Sequence, residues 1–210
     1  MAVKPIAGPG VPGSGFRSIR RAFLAFAALP WILAACDTPN PAVTFPELTF
    51  AHKPAIKLNV AKIEIINEYR MPFQAPNVEH LVPIAPGAAA ERWAADILKP
   101  VGTRGTALFV ITRASVTEEK LKTKTGLKGL IAIEQSEEYV AALDARVEIL
   151  EGTRRIATAS TSITRTQTAR EDATPNQRSK IWYALVERLM LEFDGEMRKQ
   201  GDTFLREHTR

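Results

Sequence analysis

The chain offers one thiol. Cys36 is its only cysteine, and it closes the stretch Leu33-Ala34-Ala35-Cys36 at the end of an apolar run over residues 22–35, behind the pair Arg20-Arg21. A lone sulfur excludes an internal disulfide framework. Its neighbours Ala34 and Ala35 are small enough for a peptidase cleft, and the cysteine supplies a nucleophilic sulfur. Other reactive groups are scattered. His52, His80 and His208 lie far apart, and no pair has a metal-ligand spacing such as H-x3-H. Glu118-Glu119 and Glu137-Glu138 are adjacent acids, but neighbours on a strand point to opposite faces and make no catalytic dyad. No G-x-S-x-G or P-loop motif occurs. Lys120, Lys122, Lys124 and Lys128 form a basic cluster that can touch anionic headgroups or a partner, or can simply be solvated. The expectation is a protein that is not an enzyme, with no metal and no cofactor.

Composition agrees with a chain divided at Cys36. Of 210 residues, 28 are Lys or Arg and 23 Asp or Glu. Four of the basic ones (Lys4, Arg17, Arg20, Arg21) precede Cys36 with no acid among them, which leaves 24 against 23 in the 175 residues that follow. The pI near 9.5 therefore reports the first segment and gives no argument for nucleic acid. The remaining length suffices for one domain with a sizeable core. The leading segment has basic residues and a Gly- and Pro-rich start, then the apolar run. That is the layout of an export signal. As a helix the run would be about 21 Å long, short for a hydrocarbon layer of roughly 30 Å, and Pro30 interrupts it.

Leu33-Ala34-Ala35-Cys36 resembles the lipobox of bacterial lipoproteins. The resemblance implies cleavage before Cys36, two or three acyl chains such as palmitate, and stable anchoring at about 0.8 kcal/mol per buried CH2. Arg20-Arg21-Ala22-Phe23-Leu24 resembles the twin-arginine export motif, and an ordinary Sec signal with two adjacent arginines reads equally well. Asp37 resembles an inner-membrane retention signal of some enteric bacteria, so inner and outer membrane both stay open. The implied place is the cell envelope, lipid-anchored and facing the periplasm.

The elements that follow can be read in order. Residues 36–54 carry the acylated cysteine and Pro39, Pro41, Pro46 and Pro54, and read as an extended tether. Residues 55–66 read as one strand, with a one-residue bulge near Ala61-Lys62 that keeps Ile56, Leu58, Ile63 and Ile65 on one face. Residues 67–87 form a long loop whose Met71, Phe73, Val78, Leu81, Val82 and Ile84 are too apolar for a solvated linker. The loop lies across the domain as a cover or acts as a lid on a ligand. Residues 88–99 fit an amphipathic helix with Ala90, Trp93, Ala94, Ile97 and Leu98 on its core stripe. Residues 105–116 read as a strand with Leu108, Val110, Thr112, Ala114 and Val116 on one face. Residues 117–135 are a hairpin arm or a loop.

Residues 138–150 alternate as a strand. Glu151-Gly152 makes a turn, and residues 154–168 return, with Ile156, Thr158, Ser160 and Ser162 on one face. Thr174-Pro175-Asn176-Gln177 opens a helix with a capping box and proline at its first position. Its stripe runs from Ile181 through Phe193, and Gly201 ends it.

The predicted fold class is α+β: a two-layer sandwich in which two helices cover one face of a four-stranded, mostly antiparallel sheet, in the order β-α-β-β-β-α. The domain spans residues 55–199 behind a signal at 1–35 and before a tail at 200–210. That element order, together with the lipobox, resembles the small lipoproteins of lipopolysaccharide assembly and the auxiliary lipoproteins of ABC-type lipid transporters. No internal motif supports it, so only Cys36 inherits a role. It implies a non-enzymatic docking, assembly or transport-accessory module with an envelope protein as partner. The alternative is a lipid or amphiphile binder.

Overall fold

The computed structural model describes residues 43–121 and 135–209. The chain divides after Asn40 into two units, and every described residue belongs to the second, Pro41–Arg210. Its strands and helices are β1 (Ile56–Leu58), β2 (Lys62–Asn67), α1 (Pro86–Ile97), β3 (Leu98–Pro100), β4 (Thr106–Lys120), β5 (Gln135–Glu151), β6 (Arg154–Arg170) and α2 (Pro175–Phe204). The main sheet has the order β2-β4-β5-β6. Strands β4, β5 and β6 are antiparallel neighbours, and β2 joins β4 in parallel. Both helices lie on one face of this sheet, as the predicted two-layer class requires. Trp93 of α1 and Phe193 of α2 each pack on Phe109 of β4, with ring centroids 5.5 and 6.3 Å apart.

Several elements differ from the sequence expectation. Residues 55–66 are not one bulged strand. The chain breaks between Leu58 and Lys62, and β1 leaves the main sheet to pair in parallel with β3 in a small sheet of its own. Val60, buried at the break, and the bond from Ala61 N to Gly105 O (3.1 Å) hold the two pieces apart. The first helix starts two residues earlier than expected, at Pro86, and gives way to β3 at Leu98.

The buried face of β4 changes phase partway along the strand. Ala107, Phe109 and Ile111 face the core. The register then slips between Ile111 and Arg113, so Thr112 and Arg113 are both exposed while Ala114 and Val116 resume the buried face. Strict alternation cannot see a bulge.

Along β6 the buried residues are Ala159, Thr161, Ile163 and Ala169. Ser160 and Ser162 face away from α2 and into solvent.

Helix α2 opens with the predicted capping box: Thr174 Oγ1 accepts from Gln177 N (3.3 Å), and the Gln177 side chain accepts from Thr174 N (2.8 Å). The helix then passes through Gly201, which is buried within it, and ends at Phe204. The chain closes on a 3-10 turn at Arg206–His208, where Asn59 N donates to His208 O (2.7 Å). At the predicted β5–β6 turn, Gly152 takes φ +62°, a conformation that favours glycine.

Candidate functional site

The segment by which the chain enters the domain is bonded to both helices. Residues 43–54 are strapped across the helix pair. Phe45 stacks on Tyr183 of α2 with centroids 5.0 Å apart, and Tyr183 Oη donates to Pro46 O (3.2 Å). Glu47 pairs with Arg92 of α1. Asp96 of α1 accepts from Phe50 N (2.8 Å) and Thr49 Oγ1 (3.0 Å). Phe50 itself is buried.

Asp194 of α2 closes the strap. It accepts from Lys53 Nζ (2.7 Å), Trp93 Nε1 (2.8 Å) and Arg198 Nε (3.1 Å). Arg198 also donates to Pro54 O (2.8 Å). Burial pushes the Asp194 carboxyl up, but its hydrogen bonds from Lys53, Trp93 and Arg198 outweigh burial and hold it below its ordinary range. The balance at Asp96 is the same: burial raises it, and the bonds from Phe50 and Thr49 bring it lower.

The loop between β2 and α1 sits beside the start of this strap. Its backbone continues the edge of β4 past the end of β2, with Val78 N donating to Val116 O and Glu118 N to Pro76 O, both at 2.8 Å. Val78, Glu79 and Val82 turn inward. The buried Glu79 accepts from Tyr69 Oη (2.6 Å) and Val116 N (3.2 Å). Burial, and then the neighbouring carboxylate, push the Tyr69 hydroxyl far above its ordinary range, so it stays a donor. Phe73 and Leu81 turn outward, 68% and 56% exposed. Phe73 holds φ +55° and packs its ring against His80 at 5.6 Å. Leu81, Pro83 and Ile84 line a recess of about 570 Å³ with Val43, Phe45, Pro46, Glu47 and Ser179. The loop is thus pinned by its inward side chains, as a cover would be, while two large apolar side chains remain in water.

Next to it, the first turn of α2 is clamped to β5. Arg178 donates to Glu137 through Nε and Nη2, both at 2.8 Å, and Tyr139 Oη donates to the same carboxylate at 2.7 Å. Arg178 holds the Glu137 carboxyl below its ordinary range, against burial, which raises it. Beyond this clamp a second recess of about 510 Å³ is lined by residues of β6 and α2, among them Arg170, Ala173, Lys180 and Ile181.

The sequence-predicted site residues fare unevenly. Cys36, Arg20, Arg21, Leu33, Ala34 and Ala35 lie outside the described residues, as do Lys122, Lys124 and Lys128 of the basic cluster. Lys120 ends β4 and is exposed. His52 is exposed, His80 belongs to the outward loop, and His208 ends the 3-10 turn; the fold does not bring them together. Glu137 is a structural ion pair rather than half of a dyad. Among the described residues no group of three or more His, Cys, Asp or Glu is placed to hold a metal. No helix among them is long and apolar enough to cross a membrane.

Asp194 and Glu79 were missed. A signal existed for the first: Asp194 directly follows Phe193 on the α2 stripe and precedes Met197, an acid among core positions. None existed for Glu79, because it lies in a loop without periodicity and one of its partners, the Val116 amide, comes from a distant strand.

Comparison with family models gives no match, and comparison with curated proteins gives none. Among solved structures, the chain is similar to a minor lipoprotein from Acinetobacter baumannii. Identity is 12% and the TM-score 0.37, over 70% of this chain and 96% of that one. It is similar to the rare lipoprotein B from Shewanella oneidensis at 12% identity and a TM-score of 0.34, over 68% and 95% of the two chains. A Xanthomonas campestris protein described under the family model DUF330 shares 9% identity at a TM-score of 0.37, over 77% and 96%. These are loose likenesses of shape.

Proposed function

We propose that this chain is a lipid-anchored envelope lipoprotein, held in the membrane through acylated Cys36 and facing the periplasm, whose domain is a non-enzymatic docking, assembly or transport-accessory module. The observation that carries the reading is the strap. Residues 43–54, downstream of the lipobox-like stretch, are fastened to both helices through Asp96 and Asp194, so a membrane anchor upstream would pull on the domain at this strap. Among the described residues, the polar groups with perturbed titration are engaged in structural bonds, which supports a binding role over catalysis.

The test is Cys36→Ser with membrane fractionation, beside globomycin treatment of the unchanged protein. The expected outcome is loss of the processed, membrane-bound form in both arms. A Cys36→Ser protein that is still processed and still membrane-bound overturns the anchor. For the docking role, crosslinking in intact membranes followed by purification should recover one defined envelope protein in stoichiometric yield, and recovery of none counts against it.

A second reading, as a lipid or amphiphile binder, is favoured by the recess beside α2, where Ala173 and Ile181 lie next to Lys180 and to Arg170, which pairs with Asp172 (3.0 Å). That lining suits a molecule with an anionic head and an apolar tail. Native mass spectrometry of the purified protein should then show a lipid adduct beyond the covalent acyl chains, and a clean mass excludes it.

A further inference from the structure

We propose that the tip carrying Phe73 and Leu81 is a second, non-covalent membrane contact, which inserts into the boundary between headgroups and acyl chains of the same phospholipid bilayer that holds Cys36. The inference rests on the reading of Cys36 as acylated and adds to it.

Three observations carry it. The first is the surface the loop presents. Residues 71–85 contain no Lys or Arg, and their single acid, Glu79, is 1% exposed and bonded to Tyr69 and Val116. Pro72, Phe73, Gln74, Ala75, Pro76, His80, Leu81 and Pro83 are all exposed, and His80 is their one titratable group. Fifteen residues thus show water no permanent charge, in a chain that is 24% charged overall. Moving such a surface against lipid desolvates few polar groups and strands no ion.

The second is how the tip is held. Phe73 sits at φ +55°, where a bulky side chain rarely sits. The inward anchors Val78, Glu79 and Val82 fix the loop on β4, so the outward pose of Phe73 and Leu81 is built into the fold. A large ring and a leucine on a rigid turn are suited to the bilayer interface, where apolar side chains enter the acyl boundary.

The third is the length of chain to the anchor. Val43 lines the same recess as Leu81 and Pro83, and it is the seventh residue after Cys36. Fully extended, seven residues reach about 25 Å. Acyl chains on Cys36 therefore keep this end of the domain within about 25 Å of a bilayer surface at all times, at high effective concentration. The occupant follows from size as well. Two exposed side chains fall far short of the roughly 1,000 Å² that a stable protein interface buries, whereas a covalently tethered contact with lipid needs no such area.

The experiment uses the full-length, processed protein. With Cys36 acylated, Leu81→Cys or Phe73→Cys supplies the sole free thiol. Both positions are exposed, so the fold is kept. Each variant is labelled with bimane and reconstituted in phosphatidylethanolamine–phosphatidylglycerol vesicles, with and without brominated acyl chains. The label at 81 and at 73 should be quenched at least twofold more than one placed by Thr153→Cys, at the exposed β5–β6 turn. Quenching at 81 and 73 no greater than at 153 overturns the contact while leaving the anchor intact. Uptake of label by the unsubstituted protein shows a free Cys36, which overturns the anchor and the contact with it.

Discussion

The indole N–H of Trp93 donates to Asp194 Oδ1 across 2.8 Å, and both side chains are buried. Trp93 is the central core residue of α1, and Asp194 lies on the core stripe of α2. One carboxylate thus joins the two helices to each other and, through Lys53 and Arg198, to the strap that follows the anchor segment. Buried ion pairs are costly to break from one side, because the partner's charge or donor is left unpaired. Asp194→Ala is expected to lower unfolding stability by about 3 kcal/mol and to free the strap for proteolysis. Urea unfolding and limited proteolysis check this. A loss under about 1 kcal/mol shows that the strap stands without its carboxylate.

Acid should undo the same network. The Asp194, Asp96 and Glu137 carboxyls all lie below their ordinary values of 3.8 and 4.5 in the folded chain. A group with a depressed folded pKa binds protons more readily when unfolded. Its stabilisation is therefore complete above the ordinary value and is lost as pH falls through the folded value. Thermal midpoints measured from pH 7 to pH 2 should be steady down to about pH 5 and then fall steeply. In Asp194→Asn the slope below pH 4 should be shallower, because one of the linked protons is gone. An unchanged slope removes Asp194 from the acid transition.

Glu79 gives the loop an independent test. Its carboxylate accepts from the Val116 amide and from Tyr69, so Glu79→Leu leaves a buried amide and a half-buried hydroxyl without their acceptor. The expected cost is about 2 kcal/mol, with faster hydrogen exchange at Val116 and Val78 than elsewhere on β4. Uniform exchange along β4 would mean that the loop is held by its apolar contacts alone.

Much of the architecture was legible because it rests on periodicity. The α1 stripe at Ala90, Trp93, Ala94 and Ile97 and the capping box at Thr174 and Gln177 are local patterns, and each is where the sequence placed it. What failed was non-local. Nothing in the alternation of Ile56, Leu58 and Val60 says that the chain will leave one sheet for another, because that choice is made by β3, forty residues on. Gly201 reads as a helix stop by composition, yet the apolar contacts of Met197 and Leu205 on either side carry the helix past it. The outward tip was only half legible. The apolar content of residues 71–84 was plain, but which side chains turn in and which turn out is fixed by the bonds of Glu79 and Val116. The anchor chemistry at Cys36 was read from sequence alone.

The slip in β4 yields the sharpest test of how this sheet is specified. Ile111 pairs with Ala145 and Arg113 with Asp144, so Thr112 is the extra residue. It is exposed, and its hydroxyl donates to Asp144 O (3.2 Å). Without it, strict alternation from Ile111 would place Arg113 outward, Ala114 inward, Ser115 outward and Val116 inward, which is the arrangement the bulge already achieves. Deleting Thr112 should therefore keep every downstream pair, including Arg113 with Asp144 (2.8 Å), at a cost of about 1 kcal/mol for the lost hydrogen bond and altered twist. Ala114→Asp should be far worse, about 3 kcal/mol or more, because Ala114 is 2% exposed and the new carboxylate has no partner there. Guanidinium unfolding of both variants decides the matter. If the deletion destabilises as much as Ala114→Asp, the bulge does more than set the phase, and the extra residue is required for the fold itself.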